Sequence, residues 1–350
     1  MVDQEDGVMI KVRNMKRYFP VKQGLMASLK SAPELWVKAI DGISFDMRSG
    51  EILGLCGESG CGKTTTGRCM VRLDKPTEGH MIFKGIDVST LEGKNLKKFR
   101  RNVQMIFQDP YESLNPRFTV FQTISEPLNV HKVGSSIEEK EDIVCKALEA
   151  AELKPAMEYL HRYPHELSGG QRQRVAVARA LVLRPEFIVA DEPASMLDVS
   201  IRAGILNLLL ELRDDYGIPF VFISHDIAVS RYMCDRIGIM YLGDIVELGP
   251  TDSVIHESFH PYTNALVSAV PVPDPKFKRG RVEVKGEIPS PINVPPGCKF
   301  HPRCPYKQPI CSKKRPLMRE IEEGHYAMCH FAGDIEFERG EEPEPFDPNA

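Results

Sequence analysis

The chain has 350 residues, enough for about two domains of ordinary size, each with its own core. Its composition, 42% hydrophobic and 27% charged, excludes a disordered, collagen-like or coiled-coil protein. A net charge of −4 lacks the strongly basic footprint of a dedicated nucleic-acid binder, no run reaches the roughly 18 apolar residues of a spanning helix, and the opening MVDQEDGVMIKVR has no secretory core, so a cytosolic chain is expected.

In chain order, MIKVRNMKRYFPV alternates as a strand and WVKAIDGISFDM forms a second β stretch leading to the turn RSGE. ILGLC then reads as a short buried strand running into the glycine-rich turn and helix of GESGCGKTTTGRCMVRL. The basic run Lys94 to Arg101 is expected on a solvated helix face, and Lys276 to Arg281 in a basic linker. From Ser135 to Leu160, Ile143, Ala147, Leu148 and Ala151 recur at helical spacing, and the chain up to Leu183 reads as helical too, giving an α-helical subdomain over about 110–183. FIVAD (187–191) and FVFIS (220–224) are continuous apolar runs of the kind parallel strands show when covered on both faces, with the amphipathic ILNLLLELRDDYG between them. Strand, helix, strand implies an α/β core. The texture changes after about residue 250: Pro261, Pro271, Pro273, Pro275, Pro289, Pro291, Pro295 and Pro296 interrupt the chain before a cysteine-rich stretch. The expected division is a nucleotide-binding domain over 1–255, an extension over 256–332 and an acidic, disordered tail over 333–350.

Gly57-Glu-Ser59-Gly60-Cys61-Gly62-Lys63-Thr64 matches G-x-x-x-x-G-K-[ST] in full, between an expected strand and an expected helix, with Thr65 following. Phosphates need many donors close together; glycines let backbone N–H groups turn inward and the helix N-terminus adds positive potential. Lys63 is expected to reach the β- and γ-phosphates of ATP, and the Thr64 hydroxyl to ligate Mg²⁺. Asp191 emerges at the end of FIVAD toward that metal, and Glu192 beside it can orient and polarise an attacking water. Cys61, just ahead of a helix N-terminus, is either a thiol of lowered pKa or a buried, inert one.

Leu167-Ser168-Gly169-Gly170-Gln171 lies between these two phosphate-site motifs, and with it residues 8 to 255 resemble the ATP-binding cassette proteins. The resemblance implies a RecA-like P-loop NTPase core with an antiparallel β subdomain and an α-helical subdomain. It also implies that Gln108, in MIFQDP, joins Mg²⁺ to the transport partner, that Asp198 belongs to the D-loop, and that His225, in FISHD, contacts the γ-phosphate. Phe19 sits where the family stacks an aromatic on adenine, with Tyr18 as the alternative. Ser168, Gly169, Gly170 and Gln171 would act in trans in a head-to-tail dimer. The stretch Ala194-Ser195-Met196-Leu197-Asp198 departs from the family's Thr-Ser-Ala-Leu-Asp.

DPYESLNPR after Gln108, YLGDIVELGPT (241–251) and His260-Pro-Tyr-Thr-Asn-Ala-Leu look like the oligopeptide and dipeptide importer subfamily. That implies an ATPase subunit peripheral to the cytoplasmic face of the membrane, partnered by a second ATPase subunit and two permease subunits, with an extracytoplasmic solute-binding protein acting indirectly and no nucleic acid. Nickel and oligosaccharides are the alternative cargoes. A nucleic-acid or translation ATPase of the same superfamily would carry two phosphate loops or a long coiled coil, and a regulatory ATP-binding subunit would lack an intact Lys63, Asp191, Glu192 and His225.

Of nine cysteines, Cys298, Cys304, Cys311 and Cys329 cluster near the C-terminus with spacing C-x₅-C-x₆-C-x₁₇-C. Four thiolates suit either zinc or an iron–sulfur cubane. Zinc sites favour close C-x₂₋₄-C pairs, which are missing here, and some peptide-importer ATPases that this chain resembles carry a [4Fe–4S] cluster on such cysteines; Zn²⁺ is the alternative. His301, His325 and His330 are expected outside the ligand set.

Overall fold

The computed structural model describes residues 7–21, 34–270, 284 and 286–337. They fall into two compact units: one built from the chain up to Met15, Ser44–Leu53 and Thr64–Ile223, the other from Lys16–Ile43, Gly54–Lys63 and the chain from Ser224 onward. The strands β1 (Val8–Pro20), β2 (Trp36–Arg48) and β3 (Ile52–Cys56) are the three anticipated at the start, and each passes from one unit into the other.

In the first unit, β4 (Glu78–Phe83) and β5 (Ile86–Asp87) pair as an antiparallel hairpin, with Phe83 opposite Ile86. α1 (Lys63–Met70) enters this unit at Thr64, and α2 (Gly93–Asn102) buries only Phe99, so its basic residues are solvated as expected. β6 (Val103–Ile106), β7 (Phe187–Asp191) and β8 (Phe220–Ser224) are parallel neighbours in the registers Val103↔Phe187 and Ile188↔Phe220. All five residues of β7 and of β8 are buried, which is why neither alternates polar with apolar.

Five helices accompany these strands: α3 (Pro110–Ser113), α4 (Val120–His131), α5 (Ile137–Ala150), α6 (Gly169–Leu181) and α7 (Val199–Tyr216). α5 starts where Ser136 accepts the Glu139 N–H, and it turns Val144, Ala147 and Leu148 inward while Ile143 is only half-buried. The helical reading of the whole stretch to Leu183 needs correction. Between α5 and α6 the chain makes two short 3₁₀ turns, Ala156–Glu158 and Pro164–Glu166, because Pro155 and Pro164 cannot donate to a continuing helix.

In the second unit, β9 (Arg236–Tyr241), β10 (Asp244–Pro250), β11 (Arg319–Glu322) and β12 (His325–Ala327) form an antiparallel set ordered β11-β12-β10-β9. α8 (Ile227–Met233), α9 (Thr251–His256) and α10 (Pro261–Ser268) belong here too. Buried Glu247 on β10 accepts from the Phe259 and His260 N–H groups and pairs with His325 Nε2 at 2.8 Å. One carboxylate therefore ties β10, β12 and the approach to α10 together. Lys299 does the same elsewhere, bonding Asp244 at 2.8 Å, Asp41 at 3.0 Å and the Leu242 carbonyl.

The first residues of the expected disordered tail are packed. Ile335 packs on Ala327, Cys329 and Ala332, and Phe337 sets its ring edge-on against Tyr306, so residues 333–337 are held by packing. The rest of the acidic tail, 338–350, and the basic segment Lys276 to Arg281 lie outside the described residues.

Candidate nucleotide site

Glycine 57 follows the last residue of β3, and the loop it opens, Gly57–Lys63, lies in the second unit. Gly62 has φ +110°, and a Cβ there would stand 2.2 Å from the Ala39 carbonyl oxygen, so only glycine fits. The Gly243 N–H donates to the Cys61 carbonyl at 2.9 Å. The backbone of Ala39 and of Gly243 thus clasps the loop at Gly62 and Cys61. Lys63, 6% exposed, folds back so that Nζ donates to the Gly57 carbonyl at 2.7 Å and the Glu58 carbonyl at 3.1 Å. Ser59 and Gly60 face solvent.

Cys61 is buried, and burial pushes its thiol above the ordinary value despite nearby Lys63. Of the two readings of this residue, the reactive, low-pKa thiol is corrected: desolvation of the thiolate outweighs the positive charge.

In the first unit, the Thr64 hydroxyl donates to Asp191 Oδ1 at 3.1 Å. Asp191 closes β7 at 3% exposure, so a carboxylate sits where the strand leaves the core. Next to it Glu192 is half-buried and carries φ +44°, a strained conformation for a residue with a side chain. Its backbone N–H is held by the Ile223 carbonyl at 2.9 Å, and its carboxylate accepts from Gln108 Nε2 at 3.0 Å. Thr65 is half-buried on α1.

Ser168 caps α6, accepting from the Gln171 N–H while the Gln171 side chain accepts from the Ser168 N–H. A Cβ on Gly169 would touch Leu197 at 3.5 Å and one on Gly170 would meet Ile201 at 2.5 Å, so this helix start packs against the first turn of α7 and the residues just before it. Asp198 and Met196 are exposed there. His225 is exposed at the end of β8. Phe19 is half-buried with the Arg17 guanidinium 4.3 Å from its ring centre, whereas the Tyr18 hydroxyl donates to Asp41.

Cys298, Cys304, Cys311 and Cys329 line a single hollow together with His260, His301, Phe300 and Phe331. Burial raises Cys298 to about 12 and Cys304 to about 11, and raises Cys329 as well. Among the described residues no three His, Cys, Asp or Glu side chains form a group that could hold a metal ion. A tetrahedral zinc, with Zn–S of about 2.3 Å, requires such convergence. His301 and His330 are turned onto the Cys298 and Lys314 carbonyls, and His325 onto Glu247.

Two residues next to the loop escaped the sequence reading. Arg303 bonds the Glu58 carboxylate, and the Tyr262 hydroxyl accepts the Glu58 N–H. No local spacing signals partners 245 and 204 positions away.

The ABC transporter profile matches residues 40–195, and that of the oligopeptide/dipeptide transporter C-terminal region matches 246–311. The oligopeptide transport ATP-binding protein AppF of Bacillus subtilis is 48% identical over 92% of this chain and 96% of its own length. The dimeric post-hydrolysis structure of the ATP-binding cassette MJ0796, bound to ADP and Pi, aligns with TM-score 0.60 and 31% identity over 69% of this chain and 99% of that one. The structure of cbiO1 from Clostridium perfringens, part of the complex cbiONQ, aligns with TM-score 0.59 and 25% identity over 72% and 92%.

Proposed function

The chain belongs to the ABC transporter family, and we propose that it is the ATP-hydrolysing subunit of an importer of di- and oligopeptides. The observation that carries the chemistry is the pair of contacts in the first unit, Thr64 with Asp191 and Gln108 with Glu192. Thr64 and Asp191 supply hard oxygen donors, which suit Mg²⁺ bound through few protein ligands and the phosphate oxygens, with Gln108 as a further ligand. Mg²⁺, when bound, neutralises charge on the phosphates.

The backbone N–H groups of the loop, with Thr65 at the start of α1, bind the phosphates, and Lys63 exchanges its carbonyl partners for phosphate oxygens. Glu192 accepts the proton of the attacking water, held in line by Gln108, and His225 binds the γ-phosphate. Phe19 stacks on adenine with Arg17 behind it, an arrangement supported by the engagement of Tyr18 with Asp41. Ser168, Gly169, Gly170 and Gln171 close over the loop of a second ATPase subunit, and Asp198 lies at that seam. The exposed apolar side chains of Met196 and Val199 beside Asp198 favour such a seam.

No described helix is long and apolar enough to cross a membrane, and the subunit works at the cytoplasmic face on two permease subunits, with a solute-binding protein delivering cargo. The four cysteines hold a [4Fe–4S] cluster as a structural cross-link, a reading supported by the hollow that all four line. Anaerobic protein with about four irons and four sulfides per chain is expected; one zinc per chain and no iron overturns this part alone. For the importer, cells lacking the subunit should fail to accumulate a labelled tripeptide while taking up nickel and oligosaccharide normally. Unimpaired tripeptide uptake in those cells would assign the ATPase to another cargo.

A further inference from the structure

A phosphate loop concentrates positive potential where an anion sits, so an acid within it is electrostatically misplaced. Glu58 is such an acid, directly after Gly57, and its own carbonyl is one of the two that hold Lys63. Its carboxylate is answered by Arg303, whose Nη1 donates to Oε2 at 2.8 Å and Nη2 to Oε1 at 3.1 Å. The fork is bidentate and partly desolvated, with the Arg303 side chain 9% exposed and that of Glu58 29%. From the other side the Glu58 N–H donates to the Tyr262 hydroxyl at 3.0 Å, and Tyr262 is fully buried at the start of α10.

Both partners are themselves braced. The rings of Tyr241, Tyr262 and Phe300 pack with centres 4.7 to 5.4 Å apart, and the Arg303 guanidinium lies 5.8 Å from the Tyr241 ring centre. The Arg303 N–H is tied to the Phe300 carbonyl at 3.0 Å, within the turn between Cys298 and Cys304. All of these residues belong to the second unit.

We infer that Arg303 is a positioning residue for nucleotide binding: it neutralises Glu58 inside the phosphate loop and, with Tyr262, fixes the second peptide of that loop from the cysteine-bearing extension. Lysine cannot replace it fully, because one ammonium cannot bond both carboxylate oxygens in plane. Without Arg303 the Glu58 charge stands uncompensated beside the triphosphate, and ATP affinity falls; removing that charge as well restores it. A role confined to folding lowers the unfolding temperature of Arg303→Ala but leaves the Kd of the folded protein, and its salt dependence, at the wild-type value.

The inference rests on the phosphate-loop reading above. The full chain is titrated with a fluorescent ATP analogue and Mg²⁺, with thermal unfolding run in parallel. Arg303→Ala should raise Kd about tenfold or more, and by less at 0.5 M salt, since salt screens the repulsion. Glu58→Gln alone should bind at least as tightly as wild type, Arg303→Lys should lie between, and the Glu58→Gln/Arg303→Ala double variant should return to within about threefold of wild type. Arg303→Gln, closer in length, is read the same way should Arg303→Ala not fold. Wild-type affinity in the Arg303 variants, or a double variant as weak as the single, overturns the inference. A wild-type chain that binds no nucleotide overturns the loop reading instead.

Discussion

The Gln108 side-chain amide donates to the Glu192 carboxylate at 3.0 Å across 84 positions of chain, aiming the carboxylate of a residue whose backbone is already strained at φ +44°. An amide at position 192 can keep that bond by accepting through its oxygen, but it cannot take a proton from water. Glu192→Gln should therefore fold and bind ATP like wild type while hydrolysis drops about 10²–10⁴-fold. Turnover assays with phosphate detection check it, and an unchanged rate removes Glu192 from the role of base.

Asp191 is buried at the end of β7 and accepts the Thr64 hydroxyl. Asp191→Asn retains the shape and the hydrogen bond but loses the charge that attracts a divalent cation. Nucleotide binding in EDTA should stay close to wild type, whereas the gain from added Mg²⁺ should vanish. Isothermal titration with and without Mg²⁺ makes the comparison.

Burial holds the Cys61 thiol above its ordinary value of 9.0. Thiolate is the reactive form, so at pH 7.5 Cys61 should react with maleimide about tenfold or more slowly than a free thiol, and its rate should still be climbing at pH 9. Half-buried Cys145 on α5 should be labelled first. Peptide mapping by mass spectrometry after timed quenching gives the order; Cys61 labelled ahead of Cys145 would contradict the desolvation argument.

Gly297, at φ +69°, lies beside the backbone contact in which the Cys298 N–H donates to the Cys311 carbonyl at 2.8 Å. A Cβ there would stand 2.3 Å from the same carbonyl oxygen, which cannot swing aside without breaking the bond. Gly297→Ala should cost on the order of 2–3 kcal/mol through strain and displacement. Faster trypsin cleavage after Lys313 or Lys314, followed by intact mass, is the expected sign.

Much of the site was legible because its chemistry is carried by contiguous residues. Gly57 to Thr64, Asp191-Glu192 and Ser168 to Gln171 are read directly, and the unbroken apolar runs of β7 and β8 announce strands covered on both faces. The helical reading failed over 151–168, where Pro155 and Pro164 divide α5 from α6 although apolar residues continue at helical spacing. There the periodicity of burial outlasted the hydrogen bonding that defines a helix.

By itself the sequence determined the kind of reaction, since a loop that binds phosphate needs its glycines, lysine and hydroxyl in one order along one turn. Tertiary structure alone decided that Cys61 is desolvated, that residues 333–337 pack, and that the acid within the loop is answered by Arg303. Each of these depends on what lies across space, and contacts between residues 245 positions apart leave no periodic trace in the chain that forms them. Local bonding follows neighbours in sequence, whereas desolvation and charge pairing follow distance.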